Sequence, residues 1–242
     1  MLHYFRAETF RLAHKKSLYI YFAALAVVYL LVAYIRSGGF SAESTSSDAL
    51  NLFGFLPLLA GGFLFAAIYV DDLNSKNLVS LVGFGLSRVK ILIVKLLLMI
   101  LCGALVFALV PLFHCLVYAL LGWPALANTW LMVYLIALKY LLMTIAFSAL
   151  AAVVVYGTQR ATFAFVLFIL LALGVISGLL STFFNTFAPP LNNFLMSGIS
   201  DRIVTGILDG SLTFLPVCQY VIYVGIAVVL SALAFKKKEL EF

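Results

Sequence analysis

Six long apolar segments, at roughly 17–36, 51–70, 94–117, 130–155, 161–182 and 214–235, constrain this chain more than any other feature. A helix needs about 20 apolar residues to cross a hydrocarbon layer of about 30 Å, and each segment approaches or exceeds that length. Backbone groups in lipid must be bonded internally, so runs of Leu, Ala, Val and Phe without polar alternation read as helices, not barrel strands. With 65% hydrophobic and 10% charged residues, the composition excludes a water-soluble globular domain. The six segments and their connections occupy nearly all of the 242 residues. The expected fold is therefore all-α and integral to a membrane, one six-span domain over 1–242.

The basic residues orient it. If both termini are cytoplasmic, Arg6, Arg11, Lys15, Lys16, Lys76, Arg88, Lys90, Lys95, Arg160 and Lys236 to Lys238 fall on the inner side, and only Arg36 and Arg202 outside. Twelve against two is the asymmetry that directs membrane insertion. The excess of positive charge thus reports topology and contact with anionic lipid head groups, not nucleic acid.

Residues 1–16 precede the first span. Leu2, Phe5 and Leu12 can share a helical face, leaving Arg6, Arg11, Lys15 and Lys16 to water and phosphate, which predicts an amphipathic interfacial helix. The first span reads as retained, since Tyr34-Ile35-Arg36 offers no small-residue cleavage pattern. Residues 37–50, rich in Ser, Gly and Thr, predict a short flexible external loop. Gly54, Pro57, Gly61 and Gly62 predict a kink or a close helix contact in the second span.

The longest inner connection, 71–93, predicts a compact helical knuckle. Asp72 or Asn74 can cap a short helix, and Gly83 and Gly85 can end it before Ser87, Arg88 and Lys90. The segment 183–213 is apolar but interrupted by Ser197, Gly198, Asp201 and Arg202, and predicts short helices on or dipping into the outer leaflet. Trp123 and Trp130 are placed as interfacial anchors.

Little in the chain points to catalysis. It has no Gly-x-x-x-x-Gly-Lys-Ser/Thr phosphate loop. All nine carboxylates lie in loops or at span ends, and His114 has no second His or acid near it in sequence. Cys102, Cys115 and Cys218 show no metal or redox spacing, so no metal site and no cofactor of the chain's own is expected. Lys139 is the one cation deep in a span. A charge there must face protein, water or the nearer interface, so it reads either as a cationic site on a translocation path or as a snorkelling side chain. Gly174 and Gly178, extended by Ser181, form a small-residue face suited to a subunit interface or to packing within the chain.

The amphipathic start Ala7-Glu8-Thr9-Phe10-Arg11-Leu12, the knuckle motif Gly85-Leu86-Ser87-Arg88 and Lys95 together resemble the six-span permease subunit of type-2 bacterial ABC exporters. The likeness is to the small permeases of Gram-positive peptide-export and lantibiotic-immunity systems. It covers the full length in topology, with motif content at about 6–16 and 71–95. The resemblance implies a separate cytoplasmic ATPase subunit that binds ATP and magnesium, and a second permease, identical or related. It casts Lys76, Gly83, Gly85, Ser87 and Arg88 as coupling residues, supported by Glu8 and Arg11, and 183–213 as the outer gate. The place would be a bacterial cell membrane, and an amphipathic peptide or lipid-like molecule the cargo. A membrane subunit of a vitamin importer, or a channel or scaffold without ATP coupling, are the competing readings.

Overall fold

The computed structural model describes residues 2–36, 44–74, 77–120 and 127–237, and all of the regular structure among them is helical. Helix α1 (Leu2–Ala13) is followed by α2 (Lys16–Arg36) and α3 (Ser44–Phe53). A run of α and π turns continues from Pro57 to Asn74, and α4 (Asn77–Gly83) then leads into α5 (Arg88–Leu120). After α6 (Ala127–Thr158) come α7 (Ala161–Ala172), α8 (Val175–Phe187), a 3₁₀ turn at Pro189–Phe194, α9 (Met196–Leu208) and α10 (Phe214–Lys237).

Among the described residues, four helices are long and apolar enough to cross a membrane: Asp48–Leu73, Arg88–Leu120, Asn128–Thr158 and Phe214–Lys237. Two bent pairs qualify if each counts as one span: α1 with α2, turning by 53°, and α7 with α8, turning by 55°. Leu105, Phe163, Leu179, Val221 and Ile226 are each more than half exposed, which gives the bundle the apolar surface that lipid solvates and water does not.

The hub is α6, which packs against α5, α7, α9 and α10. Its neighbours approach closely where side chains are small. A Cβ added to Gly61 would lie 2.6 Å from Thr144 Cγ2, so the glycine sets the spacing between the second span and α6. Pro57, which has no amide hydrogen, opens a π turn four residues before it. Both features meet the kink or close contact expected there.

One expectation is corrected and another is sharpened. The loop expected over 37–50 gives way by Ser44, where α3 begins, and the helix carries Asp48 and Ala49 against the bundle. Residues 37–43 lie outside the described residues. The fifth segment, expected as one span over 161–182, breaks at Gly174, whose φ of 73° is left-handed. An L side chain resists that conformation, so glycine is what allows the chain to turn there.

Candidate functional site

At the end of the bundle that carries α1 and the close of α10, charges lie inside the protein. The ammonium of Lys95 is 1% exposed, two turns into α5. It sits 2.7 Å from the Glu8 carboxylate of α1 and pairs directly with Asp72 at the end of the second span. Arg11 closes the group, 2.9 Å from Glu8 and 3.4 Å from Asp72, and donates to the Ala67 carbonyl at 3.4 Å. Lys15 pairs with Asp71 beside it.

A buried cation is tolerated when opposing charges surround it, and a buried carboxylate likewise. Here two cations and two carboxylates compensate one another, and they join three elements that are distant in sequence. Burial pushes the Glu8 carboxyl up. Lys95 and Arg11, by charge and hydrogen bond, outweigh that and hold it below the usual carboxylate range.

Sequence reasoning named Glu8 and Arg11 as supporting coupling residues, and counted Lys95 among the inner-side cations and the residues of the resemblance without giving it a partner. The overlooked signal was its position, between Val94 and Leu96 in an apolar run, where a charge requires a partner. The inward stripe of α1 is Tyr4, Glu8 and Leu12, one residue per turn. Phe5 and Leu12 do pack inward, as expected, while the side chain of Leu2 lies outside the described residues. Arg11 and Lys15, expected in water, are half-buried and paired because Asp71 and Asp72 come up beside them.

The knuckle rests on this knot. Helix α4 ends in a Schellman turn: Gly85 donates to the Val82 carbonyl at 2.9 Å and Leu86 to that of Leu81 at 3.2 Å. Gly85 adopts φ 82°, which the motif requires and which glycine supplies without strain. Asp72, expected as a possible cap, instead pairs with Lys95 and Arg11. Leu81 and Leu86 pack on the core, whereas Gly83, Phe84, Gly85 and Ser87 project outward, with Phe84 86% exposed. Arg88 turns back: its guanidinium donates to the carbonyls of Phe235 and Lys236 and lies 5.3 Å from the Phe235 ring centre. It therefore ties the knuckle to α10. Lys76 and the side chain of Asn74 lie outside the described residues.

The opposite end is built differently. Lys139, in α6, is 2.5 Å from Asp201 of α9, with side chains 21% and 50% exposed. The carboxylate that Lys139 needs is thus supplied by the interrupted segment that folds back against α6. Arg202 donates to Gln219 at 2.8 Å and to the Asn193 carbonyl, fastening α9 to α10 and to the 3₁₀ turn. A cavity of about 450 Å³ lies alongside, lined by Gly174, Gly178 and Ser181 of the broken fifth segment and by Asn192, Ser197 and Asp201. A Cβ on Gly178 would meet nothing within 4 Å among the described residues, so that face is open to them. Trp130 packs among Tyr29, Leu52 and Tyr140 around a second small core, and Trp123 lies outside the described residues. Among the described residues, no group of three or more His, Cys, Asp or Glu side chains converges to hold a metal.

Compared with protein-family models, curated proteins and solved structures, the chain matches none.

Proposed function

We propose that this chain is the six-span permease subunit of an ATP-driven bacterial exporter, with both termini cytoplasmic and with ATP hydrolysed by a separate soluble subunit. The observation that carries the reading is the knuckle. Three buried charges and the half-buried Arg11 fasten α1, the end of the second span and the start of α5 to one another, and a turn bearing exposed Phe84 stands on that base. Force applied to such a turn reaches the spans instead of being lost in a loose loop. The partner ATPases must contact the inward and outward states differently, or ATP binding would shift nothing.

In this reading Gly83, Phe84, Gly85 and Ser87 touch the ATPase. Glu8 and Arg11 act by holding α1 in place, and Arg88 passes movement to α10. Lys76 belongs to the same connection. A second permease packs along the open face of Gly174, Gly178 and Ser181, and 183–213 gates the outer side. An amphipathic peptide or lipid-like molecule suits spans of this composition as cargo.

The test is purification of the full-length protein from its own membranes under mild detergent. The expected result is a copurifying ATPase whose capture is abolished by Phe84→Asp. Arg88→Glu is a poorer probe, because it also removes the bonds to Phe235 and Lys236.

One observation favours a second reading, a small-molecule-binding subunit of a vitamin importer. The polar cavity beside Asp201 is large enough for such a ligand, since small-molecule sites run to about 300–1,000 Å³. A vitamin retained through purification, and lost on Asp201→Leu, would favour that reading over export.

A further inference from the structure

Helix α2 stands at the edge of the bundle. Tyr21 stacks on Phe63 with ring centres 4.1 Å apart, and farther along Tyr29 bonds to the buried His114. Between these two points α2 and its neighbours leave a groove of about 480 Å³, walled by α2, the second span and α5. Phe22, Ala26, Phe55 and Leu109 are among its walls, and it is almost wholly apolar.

The groove has a direction and a length. Along the second span it runs from Asn51 to Ala60. At 1.5 Å per residue that is about 14 Å, roughly half of a 30 Å hydrocarbon layer, so it spans one leaflet. Its polar end is at Asn51. One helical turn earlier, Asp48 accepts a hydrogen bond from Tyr118 at 2.6 Å, so a carboxylate stands one turn beyond the polar end of the groove.

We propose that this groove holds one acyl chain of a phospholipid from the leaflet on the Asp48 side, with an ammonium-bearing head group at Asp48 and Asn51. An apolar slot one leaflet deep matches a single acyl chain in length, and its walls face hydrocarbon. A carboxylate one turn beyond its polar end is complementary to an ammonium group. The inference goes beyond the transport reading and does not rest on it: loss of ATPase capture would leave the lipid in place.

The experiment uses the full-length protein in vesicles of phosphatidylethanolamine carrying a trace of the same lipid with a diazirine in its acyl chain. After irradiation, labelled peptides are mapped. Residues 22–32, 52–60 and 109–113 should carry label about threefold above the equally exposed faces around Leu179, Val221 and Ile226. Ala26→Trp, and independently Leu109→Trp, fill the groove from opposite walls. Each should remove the excess while leaving label at 221–230 unchanged, which reports an intact bundle. Even labelling of all exposed faces would overturn the proposal. So would an excess that survives both substitutions, or a larger excess from a phosphatidylglycerol probe.

Discussion

The two ends of the molecule use ion pairs to opposite purposes. At the α1 end, Lys95 and Asp72 are both 1% exposed and share partners with Glu8 and Arg11, so no single charge can leave without stranding another. At the far end, Lys139 and Asp201 form an isolated pair, and half of the Asp201 side chain is exposed beside a cavity. A buried network holds elements in a single arrangement. A half-solvated pair at the rim of an opening can separate at little expense. One end is built to be fixed, and the other has the means to move.

Removing one ion from each end gives the largest contrast. Lys95→Met leaves the Glu8 and Asp72 carboxylates with Arg11 as their one remaining shared cation and should destabilise the fold by about 3–5 kcal/mol. Lys139→Met leaves a carboxylate that water reaches, at about 1 kcal/mol or less. Denaturant titration of the purified protein in micelles measures both, and equal losses would break the comparison.

Backbone strain is the next measure. Gly174→Ala forces a left-handed residue and should cost about 1–2 kcal/mol, as should Gly85→Ala in the Schellman turn. Gly178→Ala, in open space on a right-handed helix, should stay within about 0.5 kcal/mol. In the single chain, a loss at Gly178 as large as those at Gly174 and Gly85 would contradict the open face.

A smaller effect separates the ends by pH. Glu8 is held below the usual carboxylate range, so its contribution is fully present above the unfolded value of about 4.3 and is lost as pH falls through the lower folded value. Below about pH 4 the melting temperature should fall more steeply in the native protein than in Glu8→Gln, by about 2–4 °C per kcal/mol of stability lost. Parallel melting curves for the two proteins would remove Glu8 from the network.

The helices were legible because long apolar runs have few alternatives, and the turn at Gly83 to Leu86 was legible because glycine marks it. Lys95 was visible as a charge in an apolar run, but its partner Glu8 is 87 residues away, and no local pattern joins them. Lys139 was read as a cation on a translocation path or a snorkelling side chain, with no partner named within the chain. Asp201 was noted separately, as an interruption, and only the fold brings α9 back to α6. The break at Gly174 was hidden because Gly174-Val175-Ile176-Ser177-Gly178 suits a packed helix face as well as it suits a bend. Ser44 to Leu50 read as loop because the residues are small and polar, yet Asp48 and Ala49 find places in the bundle.

The most direct test of the central claim is ATP hydrolysis by the complex purified through this chain. The account predicts a copurifying ATPase with a phosphate-binding loop, lost on Phe84→Asp while the variant keeps the melting temperature of the native protein. A native chain that purifies folded, alone and without ATP hydrolysis, or a Phe84→Asp variant that retains the ATPase, would contradict it.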